Sequence, residues 1–311
     1  MRGSCTPPFA AVSGSVTQII ISRHEITKAI RAFFDERGYL EVETPVRVYC
    51  PGIDPHIDAF SADDDLYLAT SPELHMKRIM CCGPERIYQI TRAFRREEVG
   101  RRHAPEFSML EWYRAGTDYL GILNETEELL QALTCAVDTV CRDLVFPLER
   151  VAVDDLFHEC AGWHPSRDWD EDRYYRDWVE KVEPRLAQIP ALFVMDFPAA
   201  LASLATLKTG NPLVCERFEL FMQGMEIGNA FTELRDINEH RARFDDAGAQ
   251  RRRLGKVAYP VDERFMDALI SGLPGCGGIA VGVDRLIMAL LGKESIDEVM
   301  AFPPLTPIAG C

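Results

Sequence analysis

From Phe94 to Phe107 the chain reads FRREEVGRRHAPEF, which sets Arg95, Arg96, Arg101, Arg102 and His103 in one short segment. Clustered guanidinium groups grip phosphate through charge-assisted, often bidentate hydrogen bonds. Directly afterwards Phe107, Met109, Glu111 and Tyr113 alternate, so a strand would carry all four on one face. Phe107 and Glu111 would then stand about 13 Å apart, at ~3.3 Å per residue. That span suits a ligand with a flat base at one end and a cationic group at the other. The same alternation also fits residues that merely cover a sheet. Glu219 and Glu226 flank Gln223-Gly224. A two-residue turn there pairs Phe221 with Glu226 and leaves Glu219 diagonal to it on the same face, roughly 7–8 Å away. Two such carboxylates repel unless a cation separates them, and Mg²⁺ takes one or two carboxylates together with phosphate oxygens. A solvated edge is the alternative, but the following Glu-Ile-Gly-Asn-Ala-Phe is more apolar than an exposed edge needs. A third stretch, GIAVGVDR (278–285), combines glycines that admit a ligand close to the backbone with Arg285 near a helix start, where anions are favoured.

The balance of charge decides what kind of phosphate compound this is. Formal net charge is -15 over 311 residues, which repels a polyanion at long range. A local arginine cluster in an acidic chain points to a small phosphate ligand. With 47% hydrophobic residues the chain can bury a large core. Its apolar runs are too short to span a membrane, and the N-terminus MRGSCTPPFAAVSGS lacks the apolar segment of a signal peptide. Ten cysteines occur without any CxxC spacing, so neither a zinc site nor a disulfide framework is expected. A reduced, soluble, cytoplasmic protein is the expectation, with no membrane partner.

These groups need elements to hold them. Ser22 to Arg37 reads as an amphipathic helix, with Ile26, Ala29, Ile30, Phe33 and Phe34 on one face. Ser22 and Glu25 are spaced as a capping box and Gly38 is the stop. Tyr39–Thr44 and Leu66–Thr70 read as short strands. Ser71 would cap a helix that has Pro72 at its first position and runs to Cys82. Arg86–Arg95 and Phe107–Arg114 form a hairpin whose loop is the arginine-rich segment. Tyr119–Val140 is helical, residues 140–190 give irregular connections with one or two helices, and Leu192–Phe197 is a strand. Arg217–Phe231 is the second hairpin, and Gly275–Val283 is a strand that runs straight into a helix from Asp284 to Leu291. A single α+β domain, 1–311, on an antiparallel sheet flanked by helices is the simplest architecture.

The helix from Ser22 into the strand ending at Pro45, the FRREEVGRRHAPEF segment with SMLEWY, and GIAVGVDRLIMALLG resemble the three signature motifs of class II aminoacyl-tRNA synthetases. SPELHMKR (71–78), HAPEFSMLEWY (103–113) and ERFELFMQGMEIGNAFTEL (216–234) resemble the lysyl subgroup most. The resemblance implies an ATP site in which Arg95 meets the α-phosphate, Phe107 stacks on adenine with Glu97 on the adenine side, and Arg285 holds the γ-phosphate. Arg96, His103, Ile227 and Gly282 belong to the same implied site. Glu219 and Glu226 match Mg²⁺-linked carboxylates. Glu73, Glu111, Tyr113, Asn229 and Glu233 match the amino-acid pocket, with Ser71 and Pro72 beside it. Arg96 and Ala104 depart from the asparagines often found at these positions.

Two features set the chain apart from lysyl-tRNA synthetases. Its first motif begins near Ser22, so no anticodon-binding OB-fold is expected ahead of it. Ser71 stands where alanine is usual, and Ala280 where glycine is usual. Both features resemble the ligases that attach (R)-β-lysine to translation elongation factor P. The implied function is ATP-dependent activation of (R)-β-lysine, or lysine, as an adenylate. Transfer to the ε-amine of a lysine on elongation factor P follows, with Arg95 and Arg285 as catalytic groups and no tRNA. The family also implies a homodimer built on the first motif. A truncated synthetase that charges tRNA, and a non-catalytic amino-acid or nucleotide sensor, are the alternatives that the sequence leaves open.

Overall fold

In a computed structural model that describes residues 9–137 and 144–303, the chain alternates helices and strands around one large sheet. In order come α1 (Phe9–Glu36), β1 (Leu40–Glu41), β2 (Arg47–Val48), β3 (Ser61–Asp63), β4 (Leu66–Leu68), α2 (Glu73–Met80), β5 (Arg86–Phe94) and β6 (Glu106–Ala115). Then follow α3 (Tyr119–Ala136), β7 (Glu149–Ala152), α4 (Val153–Ala161), α5 (Glu171–Asp177), α6 (Glu183–Leu186) and β8 (Ala191–Met195). The last are β9 (Arg217–Met222), β10 (Met225–Thr232), α7 (Ile237–Arg253), α8 (Glu263–Gly272), β11 (Cys276–Gly282) and α9 (Val283–Leu290).

The main sheet has eight strands in the order β1-β5-β6-β11-β10-β9-β8-β7. Its centre, β5 to β8, is antiparallel as expected, whereas the two edge strands β1 and β7 run parallel to their neighbours. The sheet is therefore mixed at its rims. β2, β4 and β3 make a separate small sheet.

One side of the main sheet is closed by α1, α3 and α9. Ile26, Ile30, Phe33 and Phe34 of α1, Leu110 and Trp112 of β6, and Leu286 and Ile287 of α9 are all buried in one cluster. Phe34 stacks on Tyr88 with ring centres 4.7 Å apart. Glu125 of α3 sits inside this layer, accepting hydrogen bonds from Tyr39 Oη (2.6 Å), Trp112 Nε1 (3.1 Å) and Arg114 Nη1 (3.1 Å). A buried carboxylate is tolerated only when it is partnered in this way. The other side of the sheet stays open at its centre, and the site lies there.

Several local expectations are corrected. α1 begins at Phe9, so Ser22 lies inside the helix and forms no capping box with Glu25. Gly14 and the run Ile19-Ile20-Ile21 blur the apolar period, and Ile20 and Ile21 are half-exposed. The cap of α2 is Pro72 and not Ser71, no side chain bonds there, and the helix ends at Met80 and not at Cys82. The strand expected over 39–44 shrinks to Leu40–Glu41. Residues 149–186 hold a strand, three α-helices and a π-turn at Trp178–Val182, more order than the sequence suggested. The helix expected to reach Val140 ends at Ala136, and residues 138–140 lie outside the described residues. Both hairpins, their turns and the β11–α9 junction stand where the sequence put them.

Candidate active site

Five central strands bring one residue each into a row, four of them polar. Opposite one another across the sheet stand Glu219 (β9), Asn229 (β10), Ala280 (β11), Glu111 (β6) and Gln89 (β5). Strict alternation could not put both Glu226 and Asn229 on this face, because they are an odd number of residues apart. A β-bulge between Glu226 and Gly228 resolves this by taking Ile227 out of register. The turn before it has positive φ at Gln223 (52°) and Gly224 (68°), the geometry that hairpin twist favours.

The row floors a cavity of about 320 Å³. The sequence-predicted residues Arg95, His103, Phe107, Glu226, Ile227, Gly282 and Arg285 line one end of it together with Glu219. Ser71, Glu73, Glu111, Tyr113, Asn229, Glu233 and Ala280 line the other. Pro72, Arg96 and Glu97 are not among the lining residues, and Arg96 and Glu97 are exposed. These two follow the last residue of β5, where the chain turns outward into the loop.

At the arginine end, the Arg95 guanidinium lies 5.2 Å from the centre of the Phe107 ring and pairs with Glu98 at 3.1 Å. Arg285 in the first turn of α9 is held from behind. Its Nε donates to Arg102 O (3.0 Å) and its Nη1 to Glu226 O (3.1 Å). The helix start is itself fixed by buried Asp284, which accepts from Arg23 Nη1 and from Ser108 N, each at 2.6 Å. Burial, and then the Arg285 guanidinium, holds the His103 imidazole below its usual value, so it is neutral at pH 7.

Glu219 and Glu226 do share this face. Burial, followed by the Glu226 charge, pushes the Glu219 carboxyl up to about 7, even though Arg217 Nη2 lies 2.5 Å from Glu219 Oε1. Mutual repulsion of this kind is what a divalent cation relieves, and two carboxylates with phosphate oxygens fit Mg²⁺. No cluster of three or more metal-ligating side chains occurs among the described residues, so the protein alone offers only part of such a shell.

The far end is acidic. Glu111 is fully buried; its Oε2 accepts from Tyr113 Oη at 3.0 Å and its Oε1 has no hydrogen-bond partner. Burial, and then Glu73, raises its pKa well above the usual carboxylate range. Glu233 is buried too and is pushed up to about 7, first by burial. An unpaired carboxylate oxygen in a closed polar pocket calls for a cationic ligand. Sequence reasoning missed Lys77, which is completely buried between Glu73 (2.6 Å) and Glu233 (2.5 Å). Its four-residue spacing from Glu73 was the only available signal. Arg102 of the arginine cluster also lines the cavity, and so do Arg217 and Glu98, which had not been singled out for it.

The antiparallel sheet thus carries a loop-borne arginine and a helix-start arginine at one end of a single face and a cluster of buried carboxylates at the other, an arrangement able to hold a phosphate compound beside an amine. The chain belongs to the class II tRNA synthetases (D, K and N), whose family model matches residues 9–306. It is similar to proteins named elongation factor P–(R)-β-lysine ligase. That of Avibacterium paragallinarum is 39% identical over 92% of this chain and 95% of its own. That of Proteus mirabilis (strain HI4320) is 40% identical over 91% and 94%. That of Vibrio cholerae serotype O1 is 38% identical over 94% and 96%.

Proposed function

We propose that this protein is an ATP-dependent, AMP-forming ligase that activates (R)-β-lysine, or lysine, and transfers it to a lysine ε-amine of elongation factor P. The observation that carries this reading is the unpartnered Oε1 of buried Glu111, facing a cavity whose opposite end holds Arg95, Phe107 and Arg285. One end takes ammonium groups and the other a nucleotide, so the substrate carboxylate is delivered between them. The names of the similar proteins supply the acceptor.

In the first step a carboxylate oxygen of the amino acid attacks the α-phosphorus, and the bond to the bridging oxygen of pyrophosphate breaks. No side-chain nucleophile is needed; positioning and charge stabilisation do the work. Arg95 would meet the α-phosphate, Phe107 would stack on the base, and Arg285 would hold the γ-phosphate. Glu219 and Glu226 would hold Mg²⁺, which offsets charge on the phosphates. Ser71 and Ala280 shape the pocket around the amine. In the second step the neutral ε-amine attacks the acyl carbon, an amide forms, AMP leaves, and the amine's surplus proton is released to solvent.

A groove of about 1010 Å³ shares Arg102, His103, Glu219, Glu226 and Arg285 with the cavity and opens between α5 and α7, giving the acceptor lysine a way in. The net charge of -15 disfavours tRNA as that acceptor. The described residues read as one catalytic domain, since the eight-stranded sheet takes strands from β1 through to β11. No helix among the described residues is long and apolar enough to cross a membrane, and the seven cysteines there are free, which fits a reducing cytoplasm. ATP–pyrophosphate exchange that depends on (R)-β-lysine tests the first step. Exchange with no diamino acid contradicts it, and tRNA charging would favour the truncated-synthetase reading.

A further inference from the structure

The acidic end of the cavity contains more carboxylates than a two-ammonium substrate needs. Glu73, Glu111 and Glu233 line it, and Lys77 lies behind them with no exposed surface. Its Nζ donates to Glu73 Oε1 at 2.6 Å and stands 2.5 Å from Glu233 Oε2. Glu111 Oε1 is left without a partner. We propose that Lys77 is a positioning residue of the amino-acid pocket. Its ammonium cancels one of three carboxylates, so that two negative charges remain for a substrate with two ammonium groups. This deepens the ligase reading and rests on it.

The geometry explains why the third charge is cancelled from within. A buried carboxylate with no cation takes up a proton and ceases to attract an ammonium group. Lys77 sets one positive charge against Glu73 and Glu233 before substrate arrives, and it joins α2 to the end of β10 in doing so. The other titratable groups that face it are Glu111 and Tyr113 of β6, His240 of α7 and Cys276 of β11. Burial lowers the His240 imidazole to about 4 and raises the Cys276 thiol, so both are neutral near pH 7 and leave the count intact.

The test is the pH profile of kcat/KM for (R)-β-lysine in pyrophosphate exchange, wild type against Lys77→Met. Without the ammonium the pocket carboxylates hold their protons to higher pH. The acid limb should then move up by roughly one unit, a loss of about fivefold at pH 7 that approaches about tenfold at lower pH, carried by KM and not by kcat, with the two enzymes converging above about pH 9. A packing role alone predicts a loss that is the same at every pH, and that result overturns the proposal. Should Lys77→Met not fold, Glu73→Gln gives Lys77 wholly to Glu233 and should move the limb to lower pH; an unmoved limb overturns the proposal. Absence of exchange in the wild type with every diamino acid would instead defeat the ligase reading.

Discussion

Tyr113 and Glu233 can crowd against β11 because position 278 has no side chain. A Cβ built on Gly278 would lie 2.6 Å from Glu233 Oε1 and closer still to the Tyr113 ring. Gly278→Ala should therefore displace both pocket residues. It should cost about 1–3 kcal/mol in urea unfolding, with a raised KM for the diamino acid in exchange assays. Ala280 tolerates its methyl where Gly278 could not, because it faces the cavity between Glu111 and Asn229. Titration supplies a second expectation at this scale. In the empty pocket Glu233 titrates at about 7, raised first by burial. A bound ammonium favours the ionised form and lowers that value. Affinity for the diamino acid is thus full above pH 7 and is lost as pH falls below it. The kcat/KM profile should show an acid limb near neutrality, and a flat profile from about pH 5.5 to 8 would contradict the assignment.

At the scale of elements, the decisive contact is Asp284 at the start of α9, bound at once to Arg23 of α1 and the backbone of Ser108 in β6. Asp284→Ala takes the carboxylate from the half-buried Arg23 guanidinium, which keeps the Val299 carbonyl, and leaves the buried Ser108 N–H without its acceptor. It should destabilise by about 3–5 kcal/mol, read from the denaturation midpoint, and lower exchange by shifting Arg285. Both hairpins were legible in the sequence because period-two alternation and the Gln223-Gly224 turn are local signals. The bulge at Ile227 was not, since nothing local marks the residue that drops out of register. The resemblance placed Asn229 in the pocket, and the bulge is the physical reason it can be there. Lys77 escaped notice because its spacing from Glu73 is common on helix surfaces, whereas its burial depends on Glu233 far along the chain. Residues 149–186 were hard to read for a similar cause. Short helices around Phe157, Tyr174 and Trp178 are held by aromatic packing more than by any period of their own.

For the whole molecule, α1 presents Ile20 and Ile21 to solvent, and Ile20 lines a second groove together with Arg23, His24, Arg31 and Phe302, the last 89% exposed. An apolar strip of this kind on the first-motif helix suits a two-fold partner. The protein should elute at twice its 35.1 kDa chain mass, and Ile20→Glu should shift it to the monomer; a monomeric wild type would contradict this. The acidic overall charge and the local arginines answer each other at this scale. On the proposed reading the surface turns away polyanions, while the cavity would concentrate one nucleotide and one dication on a single sheet face. The central claim is that this pairing builds an activated amino acid for a protein acceptor. It is tested most directly by the intact mass of elongation factor P after incubation with the enzyme, ATP, Mg²⁺ and (R)-β-lysine. The account predicts a gain of one lysine residue that is absent with Arg285→Ala; an unchanged mass, or a gain that survives loss of Arg285, would contradict it.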